Sequence, residues 1–100
     1  MKRIPLAHPG EILRAEFIEA NKLTVYRVAK DCGIPQPSLH FIVSGERSIT
    51  AETALRLGLY FGIDAQFWLN LQTDYDLHIV RQQKLQKIEK EVHPLALAAA

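Results

Sequence analysis

The stretch from Thr24 to Val43 constrains this chain more than any other. Val25, Val28, Ala29 and Cys32 stand at i, i+3, i+4 and i+7, one face of a helix, with Thr24 ahead of them as an N-cap. Gly33 follows where a helix commonly leaves through a left-handed turn, which glycine adopts without steric cost. A second helix must then start within Ile34-Pro35-Gln36-Pro37, because prolines are tolerated only in a helix's first turn. Leu39, Ile42 and Val43 give it an apolar face, and Ser44-Gly45 stops it. Two short helices joined by so tight a turn cross steeply. The small Ala29 lets them approach, and Ile34 and Ile42 fill the angle between them. Residues 24–44 therefore read as a helix-turn-helix.

Three more helices surround this pair, with almost no strand. His8-Pro9-Gly10-Glu11 starts the first and Asn21-Lys22 ends it; Leu13, Phe17 and Ala20 predict its buried stripe. Thr50 caps the fourth and Gly62 ends it. Ala51, Ala54, Leu55, Gly58 and Leu59 predict its inner stripe, widened by Leu57, Tyr60 and Phe61. Asp64 caps the fifth, where Trp68, Leu71, Tyr75 and Ile79 keep helical spacing. From Leu77 to Val92 the chain is more polar, with an apolar edge at Leu85, Ile88 and Val92. That segment is either one long helix or a second helix after a turn, and His93-Pro94 ends it. The expectation is an all-α, five-helix domain over residues 1–92, with a C-terminal helix over 64–92 and a disordered tail over 93–100.

Composition closes off other classes. One hundred residues are too few for a barrel enzyme or a doubly wound dinucleotide fold, while 48% apolar residues suffice for a small core. Cys32 is the single cysteine, so no intrachain disulfide or cysteine-based zinc site can form, and it reads as a small core residue. His8, His40, His78 and His93 lack metal-ligand spacing. No paired acids, activated nucleophile or phosphate loop appears, so the expectation is no enzyme, no catalytic residue, no metal and no cofactor. Met1-Lys2-Arg3-Ile4-Pro5 leads into no apolar signal region, and no apolar run approaches membrane-spanning length, which reads as a cytoplasmic protein.

The second helix of such a motif enters the DNA major groove by its N-terminal end. The outward candidates for base contact are Gln36, Pro37, Ser38, His40 and Phe41. A Gln amide pairs both edges of adenine; Ser38 and His40 bond bases or phosphates; Pro37 supplies shape alone. Phe41 either touches a thymine methyl or packs on the Ser44–Ser48 loop. Thr24, Arg27, Lys30, Ser44 and Arg47 are the candidates for phosphate contact. The plain alternative for all of them is a solvated surface. Net charge is only +1, and Lys22–Arg56 holds five basic residues against Asp31, Glu46 and Glu52, so a dimer that doubles the footprint is expected. Phe67, Trp68, Leu71 and Tyr75 are the candidates for its interface. Glu11, Glu16 and Glu19 form either an acidic face for a basic protein or a solubilising surface.

Thr24 to Gly45 resembles the XRE family, the phage repressor and Cro type of helix-turn-helix. A wider set of blocks is similar to the HigA/VapI antitoxins. These are His8-Pro9-Gly10-Glu11-Ile12-Leu13, Gly33-Ile34-Pro35-Gln36-Pro37, Ile49 through Leu57, Tyr60-Phe61-Gly62, Phe67 through Gln72, and Tyr75-Asp76-Leu77. The likeness covers roughly residues 4–80. It implies a phage-repressor-like fold and a homodimer that binds double-stranded operator DNA and represses its own operon. It also implies a HigB/RelE-like, mRNA-cleaving toxin neutralised by direct binding. Ser38 and Glu46 depart from the family, which usually has basic residues there. Two other readings stay open: a stand-alone XRE-type regulator without a toxin, and a protein-capture module that has lost DNA binding.

Overall fold

Side-chain caps partition the chain in the computed structural model, which describes residues 6–96. His8 Nδ1 accepts the Gly10 N–H at 2.9 Å, and Pro9 takes the first helical position. The helix that follows, α1, is α-helical over Pro9–Ile12 and π-helical over Leu13–Glu19. Thr24 Oγ1 accepts the Arg27 N–H at 3.0 Å and starts α2, Val25–Cys32. α3 spans Gln36–Val43. Thr50 caps α4, Ala51–Phe61, and Asp64 caps α5, Ala65–Glu91. Among the described residues there are five helices and no strand, the all-α architecture expected. The basic opening residues 1–5, and residues 97–100 of the expected tail, lie outside the described residues.

Two glycines set the crossing of α1, α2 and α3. Gly33 adopts φ 69° and ψ 29°, and its N–H returns to the carbonyls that end α2. At Gly10, the start of α1 runs so close to the end of α3 that a Cβ would overlap the Ile42 carbonyl. Behind this crossing lies one core, which includes Leu13, Val28, Ala29, Leu39, Ile42, Ala54, Leu57 and Trp68, whose exposure is 0%. Phe17 sits against the indole at 4.7 Å between ring centroids. Cys32 is buried in the same core, and burial foremost pushes its thiol up to about 11, so it stays protonated.

Two expectations change, and one open alternative is settled. In α1 the buried partner of Leu13 is Ile18, not Ala20, which is exposed. The π-helical segment explains this, because bonds from i to i+5 advance the inner face in longer steps. In α4 the inner residues are Ala54, Leu57 and Gly58, with Phe61 half-buried. Ala51, Leu55 and Leu59 point outward, against the predicted stripe; Leu55 is 59% and Leu59 86% exposed. The segment after Leu77 is one unbroken continuation of α5, and every residue from Arg81 to Glu91 is exposed, so the helix runs on past the packed body. No helix among the described residues is long and apolar enough to cross a membrane.

Candidate nucleic-acid interface

α3 is anchored from behind and bare in front. Leu39 and Ile42 are buried, while Gln36, Pro37, His40 and Phe41 are exposed. Ser38, in contrast, is half-buried. α1, α2, α4 and α5 each have a side-chain cap; α3 has Pro35 instead, which cannot supply one. The first-turn N–H groups of Gln36 and Ser38 thus have no acceptor among the described residues, at the positive end of the helix.

The candidates for phosphate contact divide by what already holds them. Thr24 is exposed; its oxygen caps α2 while its hydroxyl proton stays free to donate. Lys30 is exposed on α2. Arg27 Nε donates to Asp31 Oδ2 at 2.8 Å, and the Tyr60 hydroxyl donates to the same oxygen at 2.8 Å. The guanidinium first, then the phenol, hold the Asp31 carboxyl below its usual range, and Arg27 keeps only its outer nitrogens for another partner. Ser44 Oγ donates to the Phe41 carbonyl at 3.1 Å, so its one hydroxyl proton is engaged inside the protein. Arg47 lies over the Phe41 ring, Cζ 4.6 Å from the centroid. Sequence reasoning missed what steadies this loop. Buried Gln72 accepts the Ile49 N–H at 2.8 Å and donates to Asp76 at 2.9 Å, tying the exit of α3 to α5.

Away from α3, Phe67 is 38% exposed and Leu71 and Tyr75 are half-buried. Trp68 is corrected: with no exposed surface in the protomer, it has none to give a second copy. The exposed Leu55 and Leu59 flank a shallow groove of about 300 Å³ that reaches Ile63 and Ala65. Glu11, Glu16 and Glu19 are all exposed, and Glu19 is paired with Arg14 at 2.8 Å. No cluster of three or more His, Cys, Asp or Glu arranged to hold a metal occurs among the described residues.

A helix-turn-helix family model matches residues 15–68, which contains α2, α3 and α4. Virulence-associated protein I of Dichelobacter nodosus is 48% identical over 81 residues, covering 81% of this chain and 75% of that protein. The chain belongs to the HigA/VapI family of XRE-type helix-turn-helix proteins. Two solved relatives share its fold. An addiction module antidote protein of the HigA family from Coxiella burnetii is 44% identical, with TM-score 0.85, over 92% of this chain and all of that one. The Pseudomonas aeruginosa antitoxin HigA, solved with the higBA promoter, is 40% identical, with TM-score 0.86, over 91% of this chain and 99% of that one. The HigA-like fold thus extends well beyond the helix-turn-helix and takes in most of α5.

Proposed function

We propose that this chain is an antitoxin that binds operator DNA as a homodimer and represses its own operon. The observation that carries the reading is the outer face of α3: Gln36, Pro37, His40 and Phe41 are exposed, Arg47 lies over Phe41, and Arg47 and the exposed Lys30 of α2 are free of carboxylate partners among the described residues. The P. aeruginosa relative with its promoter supports it. Two copies of α3 would enter successive major grooves about one helical turn apart. Gln36 selects a base, assisted by His40, and Thr24, Lys30 and Arg47 hold register on phosphates.

For the dimer surface, exposure supports Leu55, Leu59 and Phe67, with Leu71 and Tyr75 at its edge. The second activity is capture of a RelE-like mRNA-cleaving toxin. The exposed Glu11 and Glu16 are the acidic groups left to meet a basic partner, since Glu19 is already neutralised.

A salt titration on the DNA upstream of the gene tests the reading. Log K should fall linearly with log salt, by about 0.9 per phosphate neutralised. Absence of binding at low salt would favour the protein-capture module, a reading that the departures at Ser38 and Glu46 support. Co-purification with the product of the neighbouring gene tests the toxin; if no partner is retained, a stand-alone regulator is left.

A further inference from the structure

Phe41 is surrounded by contacts that a base reader does not need. Its carbonyl oxygen accepts three hydrogen bonds: from Ser44 Oγ at 3.1 Å, the Glu46 N–H at 2.8 Å and the Arg47 N–H at 3.0 Å. The chain therefore folds back at the exit of α3 and carries residue 47 over the Phe41 ring, where Cζ sits 4.6 Å from the centroid. Gln72 fixes the loop's far end through the Ile49 N–H. Arg14, Arg27 and Arg56 each pair with a carboxylate, whereas Arg47 has no such partner among the described residues. The ring is what holds it.

An aromatic face attracts a cation electrostatically, while the five N–H donors of a guanidinium lie around its planar rim. A ring and a phosphate can hold one guanidinium together, because the phosphate takes rim N–H bonds and the ring does not. A side chain already placed loses less freedom on binding. We propose that Phe41 is a positioning residue: its ring is the platform that holds the Arg47 guanidinium at the exit of α3 for one DNA phosphate, and it reads no base. The proposal rests on the DNA-binding reading above.

The test measures binding of upstream duplexes and of a scrambled duplex across a salt series. The proteins are wild type, Phe41→Leu, Phe41→Tyr, Arg47→Ala and the Phe41→Leu/Arg47→Ala double variant. Phe41→Leu weakens every duplex alike, about two- to fivefold, while Phe41→Tyr, which keeps a ring, restores binding. The salt slope of Arg47→Ala drops by about 0.9, and adding Phe41→Leu to it changes nothing further. A Phe41→Leu loss that persists without Arg47, or one confined to duplexes with thymine at a single position, overturns the proposal. In free protein, NMR shows the Arg47 side-chain protons moved upfield by the ring, a shift that Phe41→Leu abolishes. Absence of that shift in folded wild type also overturns it, without any DNA. Should Phe41→Leu unfold, Phe41→Met, likewise without a ring, takes its place in the same comparison with the same supporting and overturning outcomes. A wild type that binds no duplex at low salt refutes the DNA-binding reading and the proposal with it, while the upfield shift still reports on the ring contact.

Discussion

α3 and α4 bury their inner stripes in the same core and turn opposite chemistries outward. α3 shows an amide, an imidazole and two N–H groups without a cap; α4 shows Leu55 and Leu59 beside a shallow groove. Amides and imidazoles are content in water and gain selectivity from matched donors and acceptors, which is what groove edges offer. A leucine as open as Leu59 gains only by leaving water, at about 25 cal/mol per Å². Two bare surfaces on one small domain thus suit two kinds of neighbour. The first fits wet, polar contacts and the second a dry contact with protein.

Substitutions can break this contrast from either side. The largest expected effect is at Gly10→Ala, where the new methyl group meets backbone, not a mobile side chain. It forces α1 away from α3 and costs about 3 kcal/mol, read as a lowered denaturant midpoint. Gln72→Leu leaves the buried Ile49 N–H without an acceptor and costs roughly 1–3 kcal/mol in the same measurement. Gln36→Ala removes a side chain from the bare face of α3. It leaves stability within about 0.5 kcal/mol. Specific binding weakens by about 1–3 kcal/mol and selectivity relaxes at one base position. Leu59→Asp is its counterpart on α4: protomer stability moves by less than about 0.5 kcal/mol, yet sedimentation shows the dimer lost. If Leu59→Asp stays dimeric, the α4 face is not the interface.

A pH scan probes the cap of α1, the helix that crosses α3 at Gly10. His8 accepts the Gly10 N–H as a neutral ring and packs edge-on against Tyr75 at 4.9 Å. Burial lowers its pKa from the ordinary value of about 6.5, although Asp76 and Glu11 pull the other way. The unfolded chain therefore takes up the proton first as pH falls. Stability declines from about pH 6.5 down to the lowered folded value. His8→Asn keeps a capping oxygen but cannot titrate, so its melting temperature should lose that part of the decline.

Much of this was readable from residues alone. The caps at Thr24, Thr50 and Asp64, the turn at Gly33 and the start of α3 at Pro35 act locally, and the helix boundaries followed from them. What escaped depended on distant partners. α4 is apolar around most of its circumference, so hydropathy could not say that Leu57 faces Trp68's core while Leu55 and Leu59 face water. The π-helical register that exchanges Ala20 for Ile18 has no composition signal. Gln72 resembles any surface glutamine until the Ile49 N–H is brought against it. At the candidate interface, the residue types singled out Gln36 and Arg47. The pairing of Arg27 with Asp31 and the engaged hydroxyl of Ser44 are matters of geometry.

Beyond Val80 the long helix has no neighbour among the described residues to seal it. A helical segment this short, held only by its own turns, opens and recloses continually. Its amide hydrogens will exchange with heavy water quickly, while those around Trp68 wait for the whole body to open. Trypsin, which cleaves after lysine and arginine, will find Arg81, Lys84, Lys87 and Lys90 along that arm and trim the protein back to the packed body.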